Sequence, residues 1–135
     1  MKIWLTDYDA AWPQLFEQEA AFLRTHFCDE MIRIEHFGST AIVGMCAKPV
    51  IDILCVVKSI NNIDTFNDSM AKLGYDVAGE WGIVGRHLFR KGGAARTHHI
   101  HMYEHGNHEI ARHVIFRDYV QAHPHEALHY RRLKQ

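Results

Sequence analysis

Nowhere does the chain hold the roughly 18 consecutive apolar residues that a membrane-crossing helix needs, so neither a span nor a membrane partner is expected. Its opening, Met1-Lys2-Ile3-Trp4-Leu5-Thr6-Asp7, meets an acid before any apolar run of signal-peptide length, so secretion is not expected. A basic excess is missing too: 15 Lys and Arg stand against 16 Asp and Glu. A protein that coats nucleic acid needs a positive surplus, so nucleic acid is not an expected partner. Cysteine is scarce. Cys28, Cys46 and Cys55 are an odd number with no close pair, which fits a reducing, cytoplasmic compartment better than a disulfide framework. Internal repeats and low-complexity linkers are absent as well.

The 135 residues are 47% hydrophobic and 23% charged, ordinary values for a folded chain, and they suffice for a single domain spanning 1–135. Histidine is the outlier. There are 12, and nine of them lie between His98 and His129, interspersed with apolar and charged residues.

Periodicity predicts the elements. Trp12, Leu15, Phe16, Phe22 and Leu23 recur at three- and four-residue steps, with Glu19 interrupting the stripe. A helix is expected from about Ala10 to about His26, with Asp9 as N-cap and Pro13 in the first turn. Met31 to Phe37 alternates like a strand, with Ile32, Ile34 and His36 on one face. A loop of small residues, Gly38 to Pro49, leads to a second strand, Val50 to Val57. That run is apolar except for Asp52, which suggests burial on both faces. Ile60 to Leu73 reads as a helix ending at Gly74. Two strands, about Tyr75–Ala78 and His87–Arg90, flank a glycine-rich turn. Thr97–Tyr103 forms another strand, Glu109–Ala122 a helix, and Glu126–Leu133 a short final helix after Pro124. The expected fold is α+β, a small mixed β-sheet covered on one side by helices.

Asp52 is the first candidate for chemistry. A carboxylate among Val50, Ile51, Ile53 and Leu54 needs a metal, a base or donor N–H groups, or it caps loop amides at a strand end. Gly38-Ser39-Thr40 follows one strand directly and precedes another that carries Asp52. Glycine permits close backbone approach, and the hydroxyls can meet phosphate oxygens; an ordinary turn is the plain alternative. His99 and His101 are two apart, so both imidazoles leave one strand face. With a nearby carboxylate they form a common transition-metal set, or else they face solvent. His98 points the other way, and His36 reads as a hydrogen-bonded core histidine. The remaining histidines of the C-terminal third, His113 among them, read as surface residues. Lys48 and Arg86 could serve an anionic ligand. Arg117 and Asp118 could pair within the third helix.

Long stretches resemble one family. Ile34-Glu35-His36-Phe37-Gly38-Ser39-Thr40-Ala41 and Lys48-Pro49-Val50-Ile51-Asp52-Ile53-Leu54 are similar to the signature of GrpB-like proteins. Leu73-Gly74-Tyr75, Thr97-His98-His99-Ile100-His101, Phe116-Arg117-Asp118-Tyr119 and Tyr130-Arg131-Arg132-Leu133-Lys134 extend the similarity over nearly the whole chain. The resemblance implies a nucleotidyltransferase-like fold. In that superfamily a Gly-Ser motif follows the first strand, a carboxylate pair lies on the next, and a third carboxylate on a later one. The carboxylates hold divalent metal for transfer from a nucleoside triphosphate. GrpB-like domains also occur fused to dephospho-CoA kinase.

Carried over residue by residue, Gly38 and Ser39 match the Gly-Ser motif and Asp52 the first carboxylate. Leu54 stands where the second carboxylate belongs, and His99 and His101 stand where an acid is expected. This donor set suits zinc, manganese or nickel better than magnesium. The expected function is a metal-dependent nucleotidyltransferase-like enzyme acting on a nucleotide or phosphate-containing small molecule. Asp52, His99 and His101 would be catalytic or ligate the metal, and Gly38, Ser39, Thr40, Lys48 and Arg86 would bind the ligand. The alternatives are a non-catalytic nucleotide- or metal-binding module that assists a coenzyme A-pathway or other partner enzyme, and a metal-dependent phosphate-ester hydrolase.

Overall fold

A computed structural model describes residues 5–123. The first helix, α1 (Trp12–Phe27), carries Pro13 in its first turn. Asp9 acts two residues before the N-cap: its Oδ1 accepts the Ala11 N–H at 2.8 Å, and Ala11 occupies the cap position. The buried stripe is Trp12, Phe16, Glu19, Ala20, Leu23 and Phe27. Glu19 therefore lies inside the stripe. Its carboxylate tolerates burial because the Tyr75 hydroxyl donates to Oε1 and Lys91 Nζ lies 3.0 Å from Oε2.

Five strands follow: β1 (Met31–Phe37), β2 (Ile51–Val57), β3 (Asp76–Gly79), β4 (Arg86–Lys91) and β5 (His98–Glu104). Their order in the sheet is β1-β2-β5-β4-β3. β2 and β5 run parallel, and the other neighbours are antiparallel. In β1 the expected alternation fails at one residue. The register slips between Met31 and Arg33, a bulge that leaves Ile32 51% exposed while Met31 and Ile34 pack on the core.

The helix expected over 60–73 is interrupted. It divides into α2 (Ile60–Ile63), a single 3₁₀ turn (Asp64–Phe66) and α3 (Asn67–Lys72). Short polar side chains compete for the backbone there: Thr65 donates to Asn62 O at 2.6 Å and Ser69 to Phe66 O at 3.0 Å. Gly74 ends α3 with φ +95°, a conformation that favours glycine. The last described helix, α4 (His108–Ala122), begins at Asn107, whose side chain accepts the Glu109 N–H. The expected helix at 126–133 lies outside the described residues.

Helices cover both faces of the sheet, not one. Ile51, Ile53, Cys55, Val57, Phe89, Ile100 and Met102 join α1, Ile63 and Met70 in the main core. On the opposite face, Phe37, Leu54 and Tyr103 pack against Ile110 and Val114 of α4 and against Ile83. That second cover is partial, and a polar part of the sheet stays open beside it. No helix among the described residues is long and apolar enough to cross a membrane.

Candidate functional site

The open region is built by register. Asp52 on β2 is paired with His99 on the parallel neighbour β5, and Leu54 with His101. Paired residues share a face, so the two imidazoles and the carboxylate rise together. His101 Nε2 lies 3.2 Å from Asp52 Oδ1, and His99 Nδ1 lies 3.7 Å from the same oxygen. One donor atom from each of the three lies within 4.8 Å of the others. All three side chains are partly exposed, at 29% for Asp52, 34% for His99 and 13% for His101. The cluster is reachable from solvent yet walled by protein.

Gly38 sets how closely β1 and its loop meet this carboxylate. A Cβ on Gly38 would sit 2.6 Å from Asp52 Oδ2, and the residue holds φ +74°. Only glycine satisfies both demands without a shift. Ser39 is half-buried in the single turn Ser39–Ala41 that follows. Thr40, expected among the ligand-binding residues, faces inward. It is buried, and its hydroxyl donates to Val50 O (3.5 Å) while meeting His36 Nε2 at 2.9 Å. The hydroxyl that the sequence offered to phosphate is thus spent on the fold. Lys48 lies exposed on the loop before β2.

Arg86 does reach the cluster. Its Nη1 is 3.4 Å from His101 Nδ1, while Nε donates to Glu80 O (3.2 Å) and Nη2 to Trp81 O (2.9 Å). A guanidinium only donates, so this contact makes His101 Nδ1 an acceptor. The imidazole proton then sits on Nε2 and is given to Asp52 Oδ1.

Four residues that no sequence motif marks also contribute. Arg90 pairs with His99 in register and so shares the site face. Asp76 holds both Arg90 and, at 3.3 Å, Arg96. Trp81 lies on the loop before β4, its ring 4.5 Å from the Arg90 guanidinium carbon. His113, expected at the surface, is half-buried on α4 with its ring 4.8 Å from that of Phe37. A usable signal existed for Arg90: strand alternation places Arg86, Leu88 and Arg90 on one face.

Burial sets the local electrostatics. Desolvation lowers the His99 pKa, Asp52 opposes this, and His101, Arg90 and Arg96 lower it further. His113 is lowered as well, first by burial, with Glu109 opposing. His99 is therefore held neutral near pH 7, the form that ligates metal or accepts a proton.

The donor set, two imidazoles and one carboxylate, fits a borderline ion such as zinc or nickel. Ligation at about 2.0–2.1 Å puts tetrahedral donors roughly 3.3 Å apart, so the two Asp52 separations, 3.2 and 3.7 Å, already lie near that spacing, while the widest, within 4.8 Å, would have to close by up to about 1.5 Å. One neighbour opposes it. A metal on His101 Nε2 would push the proton toward Nδ1, where Arg86 offers no acceptor. The missing second carboxylate also has a structural basis, since Leu54 is 0% exposed between Phe37 and Tyr103 beneath α4.

The model of the family described as GrpB protein matches residues 2–135. The chain belongs to the GrpB family. It is 47% identical over 134 residues to UPF0157 protein YqkA of Bacillus subtilis, covering 99% of this chain but 39% of that protein. It is 35% identical over 136 residues to glutamate-rich protein GrpB of Alkalihalophilus pseudofirmus, covering 97% of this chain and 78% of that one. The crystal structure of conserved protein GrpB from Enterococcus faecalis superposes with a TM-score of 0.94 at 39% identity, covering 96% of this chain and 79% of that one. This GrpB chain thus spans well under half the length of the Bacillus protein.

Proposed function

We propose that the open face of this GrpB domain binds a phosphate-bearing small molecule, a nucleotide by preference, together with a divalent transition metal. The reaction class would be nucleotidyltransferase-like. The observation that carries the reading is the convergence of Asp52, His99 and His101, with donor atoms within 4.8 Å of one another. When bound, the ion would supply positive charge to a phosphoryl oxygen.

The chain's own residues supply the rest. Asp52 would hold the ion through its carboxylate, and His99 and His101 through neutral ring nitrogens. Arg86, buried behind the cluster with its guanidinium spent on Glu80, Trp81 and His101, would lend positive charge from behind, and the partly exposed Arg90, paired with His99, would meet the ligand's negative charge. Gly38 keeps the loop against Asp52 without displacing its carboxylate. A cytoplasmic setting is part of the proposal, consistent with Cys28, Cys46 and Cys55 all being unbridged.

The second reading is a non-catalytic module that binds nucleotide or metal for a partner enzyme, of the coenzyme A pathway or another. Leu54 favours it, because a buried apolar side chain replaces a ligand that two-metal transfer uses. Calorimetric titration with zinc, manganese and magnesium, with and without ATP, tests the binding that both readings share. Zinc or manganese should bind at least about tenfold more tightly than magnesium. Asp52→Asn should lose most of that affinity and lower apo stability by no more than about 2 kcal/mol. Magnesium binding as tight as zinc, or an Asp52→Asn protein that binds as wild type, would overturn the ligand assignment. ATP turnover by the metal-loaded protein separates enzyme from module.

A further inference from the structure

Trp81 occupies a costly position. It is 61% exposed, and its φ of +47° lies in the left-handed region that bulky side chains avoid. Solubility alone would place a small polar residue or glycine there. The loop that carries it is nevertheless firmly held. Arg86 donates to the carbonyls of Glu80 and Trp81, and Glu80 Oε2 accepts the Gly85 N–H at 2.7 Å. Ile83 packs against the Phe37–Leu54–Tyr103 cluster. Arg86 ties the loop directly to the candidate site, because the guanidinium that binds the Trp81 carbonyl also meets His101.

The ring is fixed as well. Arg90 lies against the indole, and Asp76 pins Arg90 from the other side. Arg90 Nε is buried without a hydrogen-bond partner among the described residues, so the stack is kept at the expense of a donor. The result is a rigid, largely exposed aromatic surface beside the Arg86–His101–Asp52 cluster.

We infer that Trp81 is the stacking platform for an aromatic ring carried by the phosphate-bearing ligand, and so selects ligands with a base over bare polyphosphate. This rests on the phosphate-ligand reading above. Stacking on an aromatic side chain needs no matched hydrogen bonds, so the platform would accept any base and discriminate chiefly against its absence.

The test uses ATP and inorganic tripolyphosphate as probes, titrated calorimetrically in manganese against wild type, Trp81→Leu and Trp81→Phe. Wild type should bind ATP at least about tenfold more tightly than tripolyphosphate. Trp81→Leu should lose that preference while its tripolyphosphate affinity stays within about twofold of wild type. Trp81→Phe, which keeps a ring, should restore most of it. If Trp81→Leu keeps the preference, or weakens both probes equally, the platform is refuted and the phosphate site stands. If wild type binds neither probe, the phosphate-ligand reading fails and the platform falls with it.

Discussion

Gly38 offers a test of how the site is held together, because a second positive-φ glycine, Gly44, has open space where Gly38 has the carboxylate. Gly38 and Gly44 both have positive φ, +74° and +83°. An added Cβ at Gly44 would meet nothing within 4 Å, whereas at Gly38 it would lie 2.6 Å from Asp52 Oδ2 and 3.2 Å from Asp52 Cβ. Gly44→Ala should therefore cost only the left-handed backbone strain, about 1 kcal/mol. Gly38→Ala should cost more strain than that, because its ψ of −172° puts it in a region that essentially only glycine enters, plus an overpacking penalty of about 1–3 kcal/mol. The easier escape is rotation of the Asp52 carboxylate, which would pull Oδ1 away from His101. The excess cost should then appear with a loss of metal affinity of tenfold or more. Urea denaturation of both variants measures the first effect, and zinc or manganese titration the second. Placing Gly38→Ala in an Asp52→Ala background should remove the overpacking part of the excess and leave the backbone strain, since the nearest atom is gone. Equal stabilities for Gly38→Ala and Gly44→Ala, with metal binding unchanged, would refute the claim that this glycine exists for the carboxylate.

The other predictions concern the buried surroundings. Restoring a carboxylate by Leu54→Asp should destabilise the domain by roughly 4 kcal/mol or more, because the side chain would enter the apolar contact beneath α4; a variant that melts like wild type and binds magnesium more tightly would show that α4 leaves room for a second acid. His36 is held neutral, its pKa lowered to about 4 chiefly by burial, with Asp52 opposing and Arg117 adding to the shift. A lowered folded-state pKa means that the unfolded chain takes up the proton first. This contribution to stability is present above about pH 6.5 and is lost as pH falls toward 4, by about 1–2 kcal/mol after allowing for the ring's partial exposure. Urea midpoints at pH 7.5, 5.5 and 4.5 should fall in that order, and His36→Gln should flatten the slope; an unchanged slope would remove His36 from the account.

Much of the scaffold was legible from local patterning. Strand alternation over 31–37 and 97–103 and the apolar run of β2 matched the observed strands within a residue, because period two is a property of the backbone itself. The same geometry placed His99 and His101 on one face before any partner was known. The sequence also contained the resemblance to GrpB-like proteins, carried by stretches such as Phe37-Gly38-Ser39 and Ile51-Asp52-Ile53. What a single strand could not determine was which strands become neighbours. Asp52 meets His99 only because β2 and β5, far apart in the chain, pair in parallel at one register; a slip of one residue would turn Asp52 toward the core. Arg90 joins the face through a second long-range pairing, and Trp81 through the arginine that ties its loop to His101. Thr40 turned inward because His36 and the Val50 carbonyl satisfy its hydroxyl there. Helix α4 went to the face opposite α1 because Phe37, Leu54 and Tyr103 had gathered an apolar surface there to be covered. Alternation is local and can be read along the chain, whereas register, partner choice and the burial of a polar group are settled by contacts between distant segments, and only the tertiary structure contains those.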